Sequence, residues 1–318
     1  MAPAPAEDTL VSVVIPAYNV GDFIAQALDS VLAQEYRHFE ILVVNDGSPD
    51  TPVLEAALAP YRDRITYIVQ ENAGPAAARN AGIERARGEL IAFLDGDDIW
   101  LPECLAEQVA RANADPGLAV IHADAEVIGD PTAAGMTLRQ LNRSGGEASF
   151  ATIVTERYTI TTSCTLVRRA WWDRVGRFDP ALRRSEDFDL WLRIAHAGGR
   201  FGGTTRVLAH YRRHDQGTSA DLELMADAVL TVLDKCERTL QLDEADRAAV
   251  QTARRRQQAE KRFIEGKRAF FERDYSRARR AIREANKVIR SRKLTLVTYG
   301  LLVMPRILSW LYDKGAER

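Results

Sequence analysis

Four short apolar runs, separated by helical patterns and each ending in a cluster of turn-forming polar residues, constrain this chain more than any other feature. They are residues 11–16 (VSVVIP), 40–44 (EILVV), 65–70 (ITYIVQ) and 90–94 (LIAFL). Runs this short, rich in β-branched residues and bounded by Pro, Gly or Asn, read as buried strands rather than helices. Between the first two, residues 22–33 place Phe23, Ile24, Ala27, Leu28, Val31 and Leu32 at helical spacing, with Asp22 positioned to cap the start. Helices are predicted again at 52–59 and 76–86. Strands alternating with helices over such intervals pair in parallel through right-handed crossovers, so the chain is expected to be α/β.

In open α/β sheets, ligands bind beyond the carboxyl ends of the strands. The polar clusters sit there: Pro16-Ala17-Tyr18-Asn19 after the first strand, Asn45-Asp46-Gly47-Ser48 after the second, Asn72-Ala73-Gly74 after the third and Asp95-Gly96-Asp97-Asp98 after the fourth. Four such loops would converge on one crevice. Three aspartates within four residues repel one another and raise one another's pKa, which a divalent cation relieves. Hard oxygen ligands favour Mg²⁺ or Mn²⁺, ions that bridge to substrate phosphates, so a diphosphate ligand is implied. An isolated DGDD would be a solvated surface turn; its position beside three other strand-end loops argues for the metal.

The segments VSVVIPAYN, ILVVNDGS, ENAGPAAARNAG and IAFLDGDD, in that order, resemble the GT-A fold glycosyltransferases of family 2. GRFDPALRRSEDFDLWLRIAHAGG and YRRHDQGTS resemble that family's acidic catalytic motif and closing histidine segment. The resemblance covers about residues 11–219 and implies a mixed sheet flanked by helices. It implies that Pro16, Ala17, Tyr18 and Asn19 hold the nucleobase and that Asp46 accepts a hydrogen bond from it, the base being uracil. It further implies that Asn72 and Gly74 shape a nucleotide loop, that Arg79 is a cation near the nucleotide, that Asp95 meets the ribose and that Asp97 binds Mn²⁺ or Mg²⁺. Physical chemistry suits these roles: an aromatic face stacks on a base, a carboxylate reads a ring N–H and a guanidinium suits a phosphate.

Glu186 and Asp187 precede Phe188, Leu190, Trp191, Leu192 and Ile194, the apolar residues of a helix, so both acids fall in its first turn, where the helix dipole favours their charge. A plain cap is the alternative. The resemblance makes Asp187 the general base of a direct displacement that inverts the anomeric carbon, with Glu186 on the acceptor side. It makes His214 a metal or diphosphate ligand leaning on Asp215; His210, on the same face of an expected strand, competes for that role. Another short strand is expected at 118–122. Residues 124–156 lack periodicity and are expected to form an acceptor-facing loop.

Charge divides the chain. Residues 243–293 carry 17 Lys/Arg against 8 Asp/Glu, while residues 1–242 carry a net −12. A body that acidic does not bind nucleic acid. Three boundaries are expected: a frayed terminus at 1–10, a catalytic domain at 11–220 and a basic helical region at 221–318. Within the last, residues 261–285 weakly resemble one tetratricopeptide-type helix pair, with Gly266, Ala269, Tyr275 and Ala278 suitably placed. Residues 294–312 form an apolar stretch that Pro305 and Arg306 interrupt, too short to span a bilayer. Two roles stay open for this tail: peripheral attachment to the inner face of a membrane, or burial against the body or in a homodimer.

Three scattered cysteines and an amino terminus with no signal pattern suit the cytoplasm. The expected activity is metal-dependent transfer of a sugar from a nucleotide-diphosphate donor to a glycan or lipid-linked acceptor in cell-surface polysaccharide synthesis. Two other classes are weighed against it. Sugar-phosphate nucleotidyltransfer wants a Gly-rich basic loop where Pro16–Asn19 stands, and a non-catalytic carbohydrate- or membrane-binding protein would be expected to lose the acidic motifs that are present here.

Overall fold

The computed structural model describes residues 9–142, 144–214 and 221–304, and the chain divides into two compact units, Met1–Ala220 and Asp221–Arg318. The first opens with β1 (Val11–Ala17), α1 (Ile24–Leu32), β2 (Phe39–Asp46) and α2 (Thr51–Leu58). A 3-10 turn leads to β3 (Thr66–Gln70), followed by α3 (Pro75–Arg85), β4 (Leu90–Phe93), β5 (Ile99–Trp100) and α4 (Cys104–Ala114). β6 (Leu118–Ile128), α5 (Leu138–Asn142), α6 (Phe150–Val154), β7 (Thr165–Arg168), α7 (Ala170–Val175), α8 (Glu186–His196) and β8 (Arg200–Arg212) complete it.

The eight strands form one sheet in the order β3-β2-β1-β4-β7-β6-β8-β5. The half from β3 to β4 is parallel, as the apolar runs require: β1 lies between β2 and β4, and every residue of β1 but Pro16 is buried. β7 then runs antiparallel to β4 and to β6. Phe93 therefore pairs with Thr165, and Thr165 with His122, so β7 begins at the edge of the sheet where β4 ends. Gly82 lets α3 lie directly on β1, since a Cβ there would stand 2.4 Å from Val14 Cγ1.

Several local expectations are corrected. Asp22 does not cap α1; Phe23 stands at the N-cap, and the first free amides turn back to the Val20 carbonyl. The strand expected at 118–122 continues to Ile128, because Asp124 folds its carboxylate onto its own strand and the next segment, accepting from the amides of Ala125 (2.9 Å) and Arg139 (3.1 Å). The stretch 124–156 thus holds strand residues and two five-residue helices. α6 is fixed by a reciprocal cap in which Ser149 and Thr152 bond each other's backbone amides.

The second unit is helical: α9 (Leu222–Thr239), α10 (Glu244–Phe271), α11 (Tyr275–Ile289) and α12 (Arg292–Val303). Asp221, Asp243, Asp274 and Ser291 each accept an amide bond at the respective N-cap. That satisfies donors which helix starts leave free, at about 1 kcal/mol each. α10 and α11 meet closely at Gly266, where a Cβ would stand 2.6 Å from Ile282 Cγ1. Ala269, Ala278, Ile282 and Leu301 form the small core beside them. Among the described residues no helix is long and apolar enough to cross a membrane. The expectations for the extreme amino terminus, for Asp215 and for the apolar stretch beyond Met304 fall outside the described residues.

Candidate active site

The site is assembled at the carboxyl end of the parallel half-sheet. At the end of β1, Tyr18 is half exposed, and Asn19 adopts a left-handed backbone (φ 56°) with its amide donating to Ser48 Oγ at 2.7 Å. Ser48 in turn is held by its own amide on Asn45 Oδ1 (2.9 Å) and by Asp50. The first two polar loops are therefore one hydrogen-bonded unit.

Asp46 is 2% exposed, and its carboxylate accepts three bonds: Oδ1 from Gln70 Nε2 (2.7 Å) and the Ala73 amide (2.9 Å), Oδ2 from the Gly74 amide (2.8 Å). The turn that follows needs glycine at 47, where φ is 61° and a Cβ would stand 2.7 Å from the Asn72 amide nitrogen. Asp46 is thus the post on which the 72–74 loop hangs. Asn72 Oδ1 accepts from Arg183 Nη1 at 3.1 Å, bringing a cation from the distant RRSED segment to the same loop.

Arg79, the cation expected near the nucleotide, is held between two carboxylates. It is 5% exposed, with Nη2 on Asp95 Oδ1 at 2.7 Å, Nη1 on Glu186 and its guanidinium 5.6 Å from the centre of the Phe178 ring. Burial opposes its charge, but Asp95, Glu186 and Asp187 outweigh burial and hold its pKa above the ordinary value. Glu186, 6% exposed, has its carboxyl pushed up by burial and by Asp187 against the pull of Arg79. The residue expected to face the acceptor is thus the buried anchor of an arginine clamp.

Within the DGDD turn the three aspartates separate in role. Asp95 reaches Arg79, and its amide donates to Ser163 Oγ at 3.0 Å. Asp97 Oδ2 lies 2.9 Å from His214 Nε2, both side chains about one-fifth exposed; burial and the charge of Asp95 raise its pKa. Asp98 is 1% exposed, accepts the Arg212 amide at 2.7 Å through Oδ1 and leaves Oδ2 without a partner. Burial and the charges of Asp97 and Asp95 push its carboxyl well up, against the pull of Ser163 and the Arg212 amide.

His214, rather than His210, meets Asp97. His210 pairs with Ile99 in the sheet, and its Nδ1 is buried without a hydrogen-bond partner. The His214 ring packs on Phe23 with centroids 5.3 Å apart, while Arg212 holds the Asp97 carbonyl through Nε at 2.8 Å. Among the described residues no group of three or more His, Cys, Asp or Glu side chains is disposed to hold a metal. Asp97 and His214 offer two donors, one oxygen and one nitrogen. That pairing suits Mn²⁺ better than Mg²⁺, which takes oxygen ligands, when a ligand's phosphates and water complete the shell.

Asp187 stands in the first turn of α8, after Ser185, whose left-handed backbone (φ 56°) is uncommon outside glycine. Its Oδ2 accepts from Thr162 Oγ1 at 2.6 Å, and its Oδ1 from the Phe188 amide at 2.7 Å. Thr162 and Ser163 escaped the sequence reading. They occupy a 3-10 turn at the start of β7, and the Trp100 indole fixes that turn by donating to the Ser163 carbonyl at 2.7 Å. A closed circuit results: Asp187 to Thr162, the neighbouring Ser163 to Asp95, Asp95 to Arg79, and Arg79 to Glu186 beside Asp187.

Residues 12–176 match the model of glycosyl transferase family 2. An uncharacterized glycosyltransferase of Rickettsia conorii is 34% identical over 191 residues, 58% of this chain and 31% of the relative. The chain thus spans about a third of that relative's length. The succinoglycan biosynthesis protein ExoO of Rhizobium meliloti is 36% identical over 198 residues, 60% of this chain and 57% of ExoO. Among solved structures, S. aureus TarS in complex with UDP-GlcNAc aligns with a TM-score of 0.64 at 17% identity, covering 96% of this chain and 92% of TarS. The mannosyltransferase PcManGT from Pyrobaculum calidifontis, in complex with GDP-Man and Mn²⁺, aligns with a TM-score of 0.65 at 19% identity, covering 99% of this chain and 86% of PcManGT. At such identities the structures speak to architecture, and the architecture is GT-A. The matched segment holds the strand-end loops and the DGDD turn just described, and with more than half the chain inside it, this protein belongs to glycosyl transferase family 2.

Proposed function

We propose that this protein is a metal-dependent, inverting glycosyltransferase that moves a sugar from a UDP-sugar to a hydroxyl of a glycan or lipid-linked acceptor in cell-surface polysaccharide synthesis. The observation that carries the reading is the circuit joining Asp187 to the DGDD turn. A displacement needs a carboxylate held at a fixed distance from the groups that receive the leaving diphosphate, and the Thr162–Ser163 turn and Arg79 supply that fixed distance. TarS with UDP-GlcNAc, PcManGT with GDP-Man and Mn²⁺, and ExoO in succinoglycan biosynthesis support the donor class, the metal and the context.

In this reading the acceptor oxygen attacks the anomeric carbon while the bond from that carbon to the diphosphate oxygen breaks. The proton of the acceptor hydroxyl passes to Asp187, and the bonding pair leaves on the diphosphate. Thr162 and the Phe188 amide hold the Asp187 carboxylate, and each of its oxygens keeps a further lone pair for that proton. Asp97 and His214 would hold Mn²⁺ or Mg²⁺, which when bound neutralises charge on the departing diphosphate. Tyr18, half exposed at the end of β1, offers its ring to the base. Asp46 and Asn72, with Gly74 and Arg183, shape the loop beside it, and Asp95 offers a carboxylate oxygen to the ribose.

The test is a screen of UDP- and GDP-sugars for metal-dependent hydrolysis and transfer, with two variants. Asp187→Asn is expected to lose turnover by about a hundredfold or more while UDP still binds. Asp97→Ala is expected to lose the metal dependence of donor binding. Substantial turnover by Asp187→Asn would remove it as the base. A wild-type protein that binds nucleotide sugars but hydrolyses and transfers none would favour the non-catalytic reading.

A further inference from the structure

α12 has two apolar faces. Leu294, Val297 and Leu301 turn inward onto the core shared with α10 and α11. On the opposite side Leu296 is 71% exposed, Tyr299 63% and Val303 69%, with Leu302 and Met304 also open. Arg292, Leu296, Tyr299 and Val303 recur at intervals of four, three and four residues, so they form one stripe along the helix. A small helical unit gains nothing by leaving such a row in water, and apolar patches of this kind mark a docking face.

The charges around the stripe identify the partner. Between Glu284 and Asp313 the sequence contains no carboxylate, while Lys287, Arg290, Arg292 and Lys293 fall at the junction of α11 and α12. Among the described residues no carboxylate pairs with Arg290, Arg292 or Lys293; Lys287 pairs with Glu284 at 2.6 Å. A second copy docked through the same face would set these cations against their own counterparts. Residues 305–318 hold three cations and two acids, so they do not neutralise it either.

We propose that α12 and the α11–α12 junction form a peripheral membrane-docking face, with the Leu296–Tyr299–Val303 stripe entering the acyl boundary of an anionic leaflet. The flanking cations meet the lipid phosphates and carboxylates, the arrangement of an interfacial helix lying in the membrane plane. At 12 residues the helix is about 18 Å long, suited to lying on a bilayer and too short to cross one.

The experiment is sedimentation of the full chain with vesicles of phosphatidylcholine alone and of phosphatidylcholine with phosphatidylserine, at low and high salt. Binding is expected only to the acidic vesicles and is expected to weaken with salt. Replacing Arg290, Arg292 and Lys293 by Gln together is expected to lower partitioning by roughly a hundredfold, about fivefold per charge. Leu296→Glu with Tyr299→Glu is expected to lower it by at least about tenfold. Both sets are exposed, and an unchanged urea midpoint shows that the fold survives. Equal binding to neutral vesicles, or no binding to either, overturns the proposal. So does a concentration-dependent dimer abolished by Leu296→Glu, which assigns the face to a second copy. Loss of vesicle binding on Leu308→Glu with Trp310→Glu, while the Leu296 and Tyr299 variant still binds, overturns it in favour of the terminal segment.

Discussion

Replacing Arg79 by Met tests the structural core of the site without reference to any substrate. The side chain is 6% exposed and bridges Asp95, 30% exposed, and Glu186, 8% exposed. The pair with Asp95 is partly screened by water and contributes little; the pair with Glu186 is buried on both sides. Removing one partner of a buried pair costs about 3–5 kcal/mol, because it strands the other charge. Met keeps an unbranched side chain but removes the guanidinium, which stands 5.6 Å from the centre of the Phe178 ring, so the loss reports the charge. The double variant Arg79→Met, Glu186→Gln removes both charges and is expected to recover roughly half of the deficit. The deficit also depends on pH. Burial already raises Glu186 above its ordinary 4.5, and Arg79 is the main group opposing that rise. Without it the folded variant keeps a proton that the unfolded chain releases above pH 4.5, so the variant loses stability as pH rises from there through the raised pKa. Urea unfolding of the wild type, Arg79→Met, Glu186→Gln and the double variant at pH 5 and pH 8 reads both effects. A single variant within about 1 kcal/mol of wild type, or deficits that simply add in the double variant, would refute the buried-clamp reasoning.

Three further outcomes are expected. Thr162→Val removes the bond to Asp187 Oδ2 at constant shape; kcat should fall about tenfold with the donor KM unchanged, and a proportional rise in KM instead would show that Thr162 acts on binding. His122 is buried against the Tyr158 hydroxyl, and burial holds its pKa at about 4 against 6.5 in the ordinary residue. The folded state therefore refuses a proton that the unfolded chain accepts: the stability is fully present above pH 6.5 and is lost as pH falls to 4, by about 3 kcal/mol. His122→Gln should flatten that part of the urea-midpoint profile, and a wild-type profile equally flat would contradict the burial. Finally, His214→Ala should raise the Mn²⁺ concentration needed for half-maximal donor turnover about tenfold or more, while His210→Ala should not; the reverse ranking would reassign the ligand.

What the sequence disclosed, and what it withheld, follows from where periodicity exists. β1, β2 and β4 were legible because each is a run of buried apolar residues with a polar stop. β8 was not, apart from the residues around His210: its first half, RFGGTT, has no apolar pattern, and the strand is held by its pairing with β6, a partner far along the chain. The two five-residue helices α5 and α6 are shorter than the window in which a helical period can be seen. Four candidate loops were found by looking past the carboxyl ends of parallel strands. Thr162 and Ser163 lie at the same edge but before the amino end of β7, because β7 is antiparallel, and a rule built on parallel strands passes over them. The signal available was the Thr-rich run TITTSCT leading into the apolar pair LV. Arg79 was found by resemblance, but its partners were not: Glu186 lies 107 residues further on, and no local pattern announces a contact of that range.

The identity of the residue at 79 follows from the same circuit. The clamp must reach two acids on different elements, Asp95 after β4 and Glu186 at the start of α8, from one point on α3. A guanidinium does so because its two terminal nitrogens diverge in a rigid plane, whereas an ammonium offers one point charge that would have to choose. Asp187 follows Glu186 directly in the chain, so fixing Glu186 fixes the start of the helix that carries Asp187, and Thr162 then sets its carboxylate. Ser163, the next residue, accepts the Asp95 amide and returns the constraint to the turn that carries Asp97. The parallel half of the sheet and the antiparallel strand β7 are thereby tied at the one edge where a donor and an acceptor would have to meet. Displacement at a sugar carbon requires the proton acceptor and the leaving-group contacts to hold their separation while bonds change. A circuit of buried charge and short hydrogen bonds holds that separation better than the surrounding loops could alone.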